Sequence, residues 1–175
     1  TQNLYFVNTA LDITVGLYYN VGNKIFRRKA MAKEIKRITS FTVDHRYITP
    51  GIYVSRIDGD ITTYDLRTRR PNCGDYMDNL TMHSFEHMFA TYVRNSQIGA
   101  DVIYFGPMGC RTGFYLLVRN AQNDRVLEIV KSVLEQIISH EGKMFGATRK
   151  QCGNFRGLSV NSAKTVDIFT KLFTF

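Results

Sequence analysis

The 175-residue sequence predicts an α+β domain in which an antiparallel β-sheet carries helices packed on one face. Two patterns favour this fold class. Residues 52–57 and 61–68 are rich in Ile, Thr and Tyr, and the Asp58-Gly59-Asp60 segment between them is typical of a hairpin turn. From Val126 to Ile138, apolar residues recur at spacings of three and four, which indicates an amphipathic helix.

The other elements are predicted from apolar runs and from the Gly and Pro residues that interrupt them. In chain order these are a turn at 49–51, a loop over 69–78, a helix over 79–96, a strand over 102–105, a turn at 106–109 and a strand over 114–119. Asn123 or Asp124 is expected to cap the periodic helix. After a loop over 142–157, a final helix is predicted over 159–172, with Val166, Phe169 and Phe173 facing inward.

The length supports one domain with a sizeable hydrophobic core. We expect residues 35–175 to form that domain and residues 1–34 to be an N-terminal extension that is disordered or not native to the fold. No stretch approaches the roughly 20 consecutive apolar residues that a membrane span needs, so no membrane partner is expected.

The formal net charge of +8 does not point to a nucleic-acid partner, because its distribution is uneven. Residues 1–39 carry +5 of it, and no RNA- or DNA-binding motif accompanies the basic residues. The three cysteines are an odd number at wide spacings, unlike a disulfide framework. Free thiols favour a reducing compartment, so we expect a cytoplasmic protein.

The most informative motif is His83-Ser84-Phe85-Glu86-His87. Residues four apart project from one face of a helix, so both imidazoles can reach a single metal ion. Glu86 stands on the same side and places a carboxylate beside the metal without having to ligate it. This His-x-x-Glu-His spacing is that of the inverted zincins.

Such a site needs a third protein ligand and an open position for water or substrate. Cys152, in the predicted loop, and Cys110 are both candidates on local sequence. Cys110 lies in the Gly-rich turn Gly109-Cys110-Arg111-Thr112-Gly113, where Arg111 would favour a thiolate if its side chain lies close. Cys110 is therefore also a candidate nucleophile or proton carrier.

Five blocks of the sequence, in matching order over about residues 35–173, resemble the S-ribosylhomocysteinase (LuxS) family. The blocks are Ser40-Phe41-Thr42-Val43-Asp44-His45, Asp65-Leu66-Arg67, His83-Ser84-Phe85-Glu86-His87, Gly106-Pro107-Met108-Gly109-Cys110-Arg111-Thr112-Gly113-Phe114-Tyr115 and Gln151-Cys152-Gly153-Asn154. The Pro-Met-Gly-Cys-Arg-Thr-Gly segment is highly specific to that family. Tyr104 departs from the family pattern, which commonly has Asp there.

The resemblance implies a two-layer LuxS/metallopeptidase-like fold and a lyase that cleaves the thioether of S-ribosyl-L-homocysteine. The products would be L-homocysteine and 4,5-dihydroxy-2,3-pentanedione, the precursor of autoinducer-2. It implies one divalent metal per subunit, Fe2+ in cells and Zn2+ or Co2+ in purified protein, and a homodimer with active sites at the interface. The implied roles are metal ligation by His83, His87 and Cys152, acid–base catalysis by Glu86 and Cys110, and substrate binding by Ser40, His45 and Arg67.

Two alternatives share the His-x-x-Glu-His helix. An inverted-zincin-type metallopeptidase would normally take a downstream Glu as third ligand and would use Glu86 to activate water, but it would not need Cys110. A non-catalytic metal-binding protein would leave both Glu86 and Cys110 without a task. Both alternatives are therefore weaker than the lyase.

Overall fold

The computed structural model describes residues 17–21, 24–28, 41 and 43–166. The chain divides into two compact units, Thr1–Val43 and Asp44–Phe175. The first contains an antiparallel hairpin of β1 (Leu17–Val21) and β2 (Lys24–Arg28). The boundary predicted near residue 34 stays a prediction.

The second unit is built on a four-stranded antiparallel sheet with the strand order β3-β4-β6-β5. Its strands are β3 (Gly51–Asp58), β4 (Ile61–Arg67), β5 (Val102–Pro107) and β6 (Gly113–Arg119). Asp58 pairs with Ile61 across a two-residue turn in which Gly59 has a φ of +61°, so the predicted hairpin is confirmed. The turn predicted at 106–109 starts later, because Pro107 still pairs with Phe114.

In the described part of the chain, three α-helices accompany the sheet: α1 (Asn79–Arg94), α2 (Asn123–Ser139) and α3 (Val160–Lys164). A 3-10 turn at Gly99–Asp101, which the sequence did not indicate, joins α1 to β5. Asp78 caps α1, since its carboxylate accepts a hydrogen bond of 2.7 Å from the backbone N–H of Thr81.

Two predictions about helix ends are wrong. The N-cap of α2 is Gln122, and the Asn123 side chain instead accepts a hydrogen bond of 2.6 Å from the Tyr64 hydroxyl. The final helix ends at Lys164, so it does not continue through residues 165–166. Val166 is buried as predicted, whereas Phe169, Phe173 and the rest of the predicted helix lie outside the described residues.

The core lies between the helices and one face of the sheet, which confirms the predicted α+β class. Phe85 and Phe89 of α1 are fully buried, and Phe89 stacks on Phe105 of β5 with ring centroids 4.1 Å apart. Phe85 also contacts Phe114 of β6 at 4.8 Å. These aromatic contacts fix α1 on the sheet. The other buried members come chiefly from the central strands and from the apolar stripe of α2: Leu66, Leu116, Val118, Val126, Val130, Val133, Leu134 and Ile137.

Candidate metal centre

The helix α1 brings its two motif histidines together with Cys152. The His83 and His87 rings meet edge to face with centroids 4.7 Å apart. One donor atom from each of the three residues lies within 4.8 Å of the other two, and Cys152 Sγ is 3.4 Å from His83 Nε2. Two imidazoles and one thiol at this spacing fit a tetrahedral metal site that keeps one position open. The structure thus selects Cys152, and not Cys110, as the cysteine beside the histidine pair.

The ring orientation of both histidines is set by backbone carbonyls. His83 Nδ1 lies 2.9 Å from the Gly157 carbonyl oxygen, and His87 Nδ1 lies 3.0 Å from that of Phe145. A carbonyl can only accept, so Nδ1 carries the hydrogen in both rings. The Nε2 lone pairs are therefore left for a metal, as in other sites whose ligands are oriented by outer hydrogen bonds.

Ser84, the second residue of the motif, holds one of these carbonyl-bearing segments. It is fully buried, and its hydroxyl accepts a hydrogen bond of 2.8 Å from the Ser159 N–H. This bond fixes the segment that supplies the Gly157 carbonyl to His83. Sequence reasoning missed Ser84, although a polar residue on the buried side of an amphipathic helix was a detectable signal.

The other segment passes so close to His87 that it requires glycine. Gly146 has a φ of +67°, and a Cβ at this position would lie 2.7 Å from His87 Nδ1. Both the left-handed backbone and the lack of space exclude a larger residue. The predicted loop over 142–157 is confirmed as irregular, but nothing in its sequence singled out Gly146.

The Cys152 sulfur has a backbone donor of its own, because the Asn154 N–H lies 3.3 Å from Sγ. The Cys152 N–H in turn bonds to the Thr148 carbonyl at 3.0 Å, which fixes the loop. A sulfur that accepts an N–H bond is suited to carry the negative charge of a metal-bound thiolate. Glu86 is half-buried on the same helix and is not one of the three clustered donors.

Cys110 lies in a second cluster, on the loop between β5 and β6. Its Sγ is 3.0 Å from the Thr112 hydroxyl and 3.8 Å from Nη1 of Arg67, whose side chain is almost fully buried. Arg111, with a φ of +60°, directs its guanidinium over the Tyr76 ring at 5.5 Å. Arg67 therefore supplies beside the thiol the positive charge that was expected of Arg111.

Arg67 is itself held by two partners. Its guanidinium bonds both carboxylate oxygens of Asp65, at 3.1 and 2.5 Å, and donates to the Thr112 hydroxyl at 2.6 Å. Burial raises the pKa of Asp65 above its ordinary value, and the hydrogen bond and charge of Arg67 oppose this only in part. Thr112 thus bridges a buried ion pair to the Cys110 sulfur.

A cavity of about 250 Å³ opens beside this cluster. It is lined by His45, Pro71, Asn72, Tyr76, Cys110 and Thr112. The structure therefore brings the predicted residues His45 and Cys110 to one cavity, with Arg67 in contact with the thiol. In the described part of the chain, none of the residues that line this cavity belongs to the His83, His87 and Cys152 triad. Ser40 lies outside the described residues.

No helix in the described part of the chain combines the length and the apolar content that crossing a membrane requires.

Comparison with known proteins gives a family match over most of the chain. Residues 38–171 match the family model described as S-ribosylhomocysteinase (LuxS). The S-ribosylhomocysteine lyase of Borreliella afzelii is 40% identical over 136 residues, which cover 74% of this chain and 87% of that protein. The S-ribosylhomocysteine lyase of Finegoldia magna is 42% identical over 135 residues, covering 74% and 86% respectively.

The buried ion pair gives a prediction about stability. Asp65→Ala should lower the free energy of unfolding by about 3 kcal/mol, because it leaves the Arg67 guanidinium buried without its counter-charge. Asp60→Ala is the matched control, since it removes an ion pair with Arg119 whose side chains are both about half exposed, and it should cost less than about 1 kcal/mol. Urea unfolding measures both, and equal losses would contradict the role assigned to Asp65.

Proposed function

Because the chain belongs to the S-ribosylhomocysteinase (LuxS) family, we propose that it is the lyase that converts S-ribosyl-L-homocysteine to L-homocysteine and 4,5-dihydroxy-2,3-pentanedione. The observation that carries the proposal is that donor atoms of His83, His87 and Cys152 lie close enough together to hold one metal ion. The family match, over residues 38–171, includes every described residue of the second unit. A thiol as third donor also favours the lyase over the metallopeptidase, which would normally have a carboxylate there.

The donor set suits one divalent ion per subunit. We propose that His83, His87 and Cys152 hold Fe2+ in cells, and that Zn2+ or Co2+ can take its place in purified protein, since imidazole and thiolate bind all three. When bound, such an ion supplies a Lewis acid for the sugar carbonyl oxygen. The three cysteines are free, which suits a reducing compartment, and we place the enzyme in the cytoplasm on that ground.

Cys110 is proposed to carry protons between neighbouring sugar carbons. Moving the carbonyl along the ribose chain requires removal of a proton beside a carbonyl and its return to the adjacent carbon. Cys110 is exposed to the cavity, and Thr112 and Arg67 hold its sulfur from behind by contacts at 3.0 and 3.8 Å. As a thiolate, a sulfur so held would take up the proton from one carbon, and as the resulting thiol it would return that proton to the adjacent carbon.

Glu86 is proposed as the second acid–base group. It stands on α1 between the two histidines, half-buried, so its carboxylate has an environment different from bulk water. It would serve the β-elimination that expels homocysteine and would exchange protons with the sugar hydroxyls. Ser40, His45 and Arg67 are the proposed substrate-binding residues, and the position of His45 in the Cys110 cavity supports its part.

We further propose a homodimer in which the metal triad of one subunit works with Cys110 of the other. The side chains of Asp65 and Arg67 project from β4 on the face of the sheet opposite that of Leu66, which packs toward the helices. Cross-strand pairing places Tyr53 on that outer face, and Tyr104 of β5 shares it; they are 41% and 48% exposed. Exposed aromatic side chains around a buried polar pair suit a surface that a second copy covers.

The two proposed cysteine roles are separable by mutation. Cys110→Ala should keep its metal and lose at least about 100-fold in turnover, the scale of a missing acid–base group. Cys152→Ala should lose the metal itself, and exposed Cys73→Ala is the matched control that should change neither. Metal analysis and thiol release from S-ribosylhomocysteine, against a blank without substrate, measure both effects. Absence of thiol release by the reduced, metal-loaded parent protein would refute the lyase.

Glu86→Gln should bind metal and substrate and stall the reaction after the first proton transfers. The amide keeps the size of the carboxylate but cannot take up a proton, so a partly isomerised sugar should accumulate. Rapid quenching and mass-selective separation of the sugar products measure this. Full activity with no accumulated species would remove Glu86 from the mechanism.

Shared active sites predict complementation between inactive variants. A purified heterodimer of one Cys110→Ala subunit and one Cys152→Ala subunit should retain about half the parent activity, because one of its two composite sites is intact. Each homodimeric variant, treated in the same way, is the control. If each subunit carried a complete site, the heterodimer would be as inactive as the controls.

A further inference from the structure

Three aromatic rings pack around the segment that follows α2. Tyr92 of α1 meets Phe145 edge to face, with centroids 5.3 Å apart and planes at 81°. His140, the residue after α2, contacts Phe145 at 5.0 Å and 61°. We call Tyr92, His140 and Phe145 the aromatic clamp. None of them has a part in the proposed reaction.

Hydrogen bonds occupy both nitrogens of the His140 ring. Nε2 lies 3.1 Å from the Lys143 carbonyl oxygen, and Nδ1 lies 2.7 Å from the Tyr92 hydroxyl. The carbonyl can only accept, so Nε2 carries the hydrogen. In the neutral ring Nδ1 then accepts the hydrogen of the Tyr92 hydroxyl. The imidazole thus ties α1 to the backbone of the segment after α2.

The clamp leads directly to a proposed metal ligand. The carbonyl of Phe145 accepts the hydrogen bond from His87 Nδ1, and the next residue, Gly146, passes against the same ring. His87 and Tyr92 are on one helix, so the contacts from Tyr92 through His140 and Phe145 to His87 begin and end on α1. Movement of Phe145 would alter the bond that orients the His87 ring.

We propose that Tyr92 and His140 are positioning residues for the metal centre. By holding Phe145 in place they keep its carbonyl on His87 Nδ1, so that Nε2 faces the other two donors. This role rests on the proposed ligation by His83, His87 and Cys152. Mutation of a group that hydrogen-bonds a ligating histidine typically lowers metal affinity by about 10- to 100-fold. Tyr92 and His140 act on such a group and do not contact His87 themselves in this scheme, so their mutation should have a smaller effect.

The primary test uses Tyr92→Phe, which removes one hydroxyl and keeps the ring that packs on Phe145. Protein loaded with Co2+ is mixed with excess chromogenic chelator, and the rate of metal loss is followed. We expect loss about fivefold faster than from the parent protein, together with a changed visible spectrum of the bound Co2+. Ser139→Ala is the matched control, since it removes an exposed side-chain hydrogen bond beside His140 without touching Phe145.

Two substitutions of His140 separate its two bonds. His140→Asn places an acceptor near the position of Nδ1 and should keep the hydrogen bond with Tyr92. His140→Gln places its amide near the position of Nε2, toward the Lys143 carbonyl, and should lose the hydrogen bond with Tyr92. We expect His140→Gln, which also removes the ring packed on Phe145, to release metal at least as fast as Tyr92→Phe. The double variant should be no worse than His140→Gln alone, because both single changes remove the same hydrogen bond.

The outcomes distinguish three cases. Faster metal loss and an altered spectrum for Tyr92→Phe, but not for Ser139→Ala, support the positioning role. A lowered Tm with the parent metal-loss rate and spectrum would show that the clamp is merely structural and would overturn the proposal. Failure of the parent protein to bind Co2+ would refute the metal centre itself, which is a separate result.

Discussion

The site depends above all on the hydrogen bonds that two backbone carbonyls accept from the histidines of α1. Without the carbonyls of Phe145 and Gly157, each imidazole could rotate about its side-chain bonds or exchange which nitrogen bears the hydrogen. The carbonyls belong to segments without regular structure, so these must be fixed by other means. Ser84 fixes one through its buried hydroxyl, and the rings around Phe145 pack against the other. The helix thus organises the segments that orient its own side chains.

What could be predicted from the sequence was local. The hairpin at Gly59, the α1 helix and the spacing of His83 and His87 are contained in short stretches of chain, where turn chemistry and helical periodicity decide the outcome. The cap expected at Asn123 failed because a distant residue, Tyr64, bonds that side chain instead. The contact of Arg67 with Cys110 joins residues 43 positions apart, and no local pattern indicates such a pair. The choice between Cys110 and Cys152 likewise required either the family resemblance or the fold.

The three cysteines have different surroundings, and the roles that we propose for them differ accordingly. Cys152 faces two imidazoles and receives a backbone N–H, which suits permanent ligation. Cys110 faces a cavity and is contacted by a hydroxyl and a buried guanidinium, which suits reversible proton uptake. Cys73 is exposed in the loop before α1 and has neither setting. The different uses that we propose for identical side chains thus follow from the different donors that surround each of them.

The wide separation of the proposed ligands along the chain has a mechanical consequence. His83 and His87 lie within one turn of α1, whereas Cys152 follows about 65 residues later in an irregular loop. An ion held by all three would close a long covalent-like ring that includes β5, β6 and α2. Because the unfolded chain does not hold these donors together, binding of the ion would stabilise the folded chain relative to the unfolded one, in a protein whose cysteines are all free. The same metal centre would then take part in the proposed reaction and also stabilise the fold.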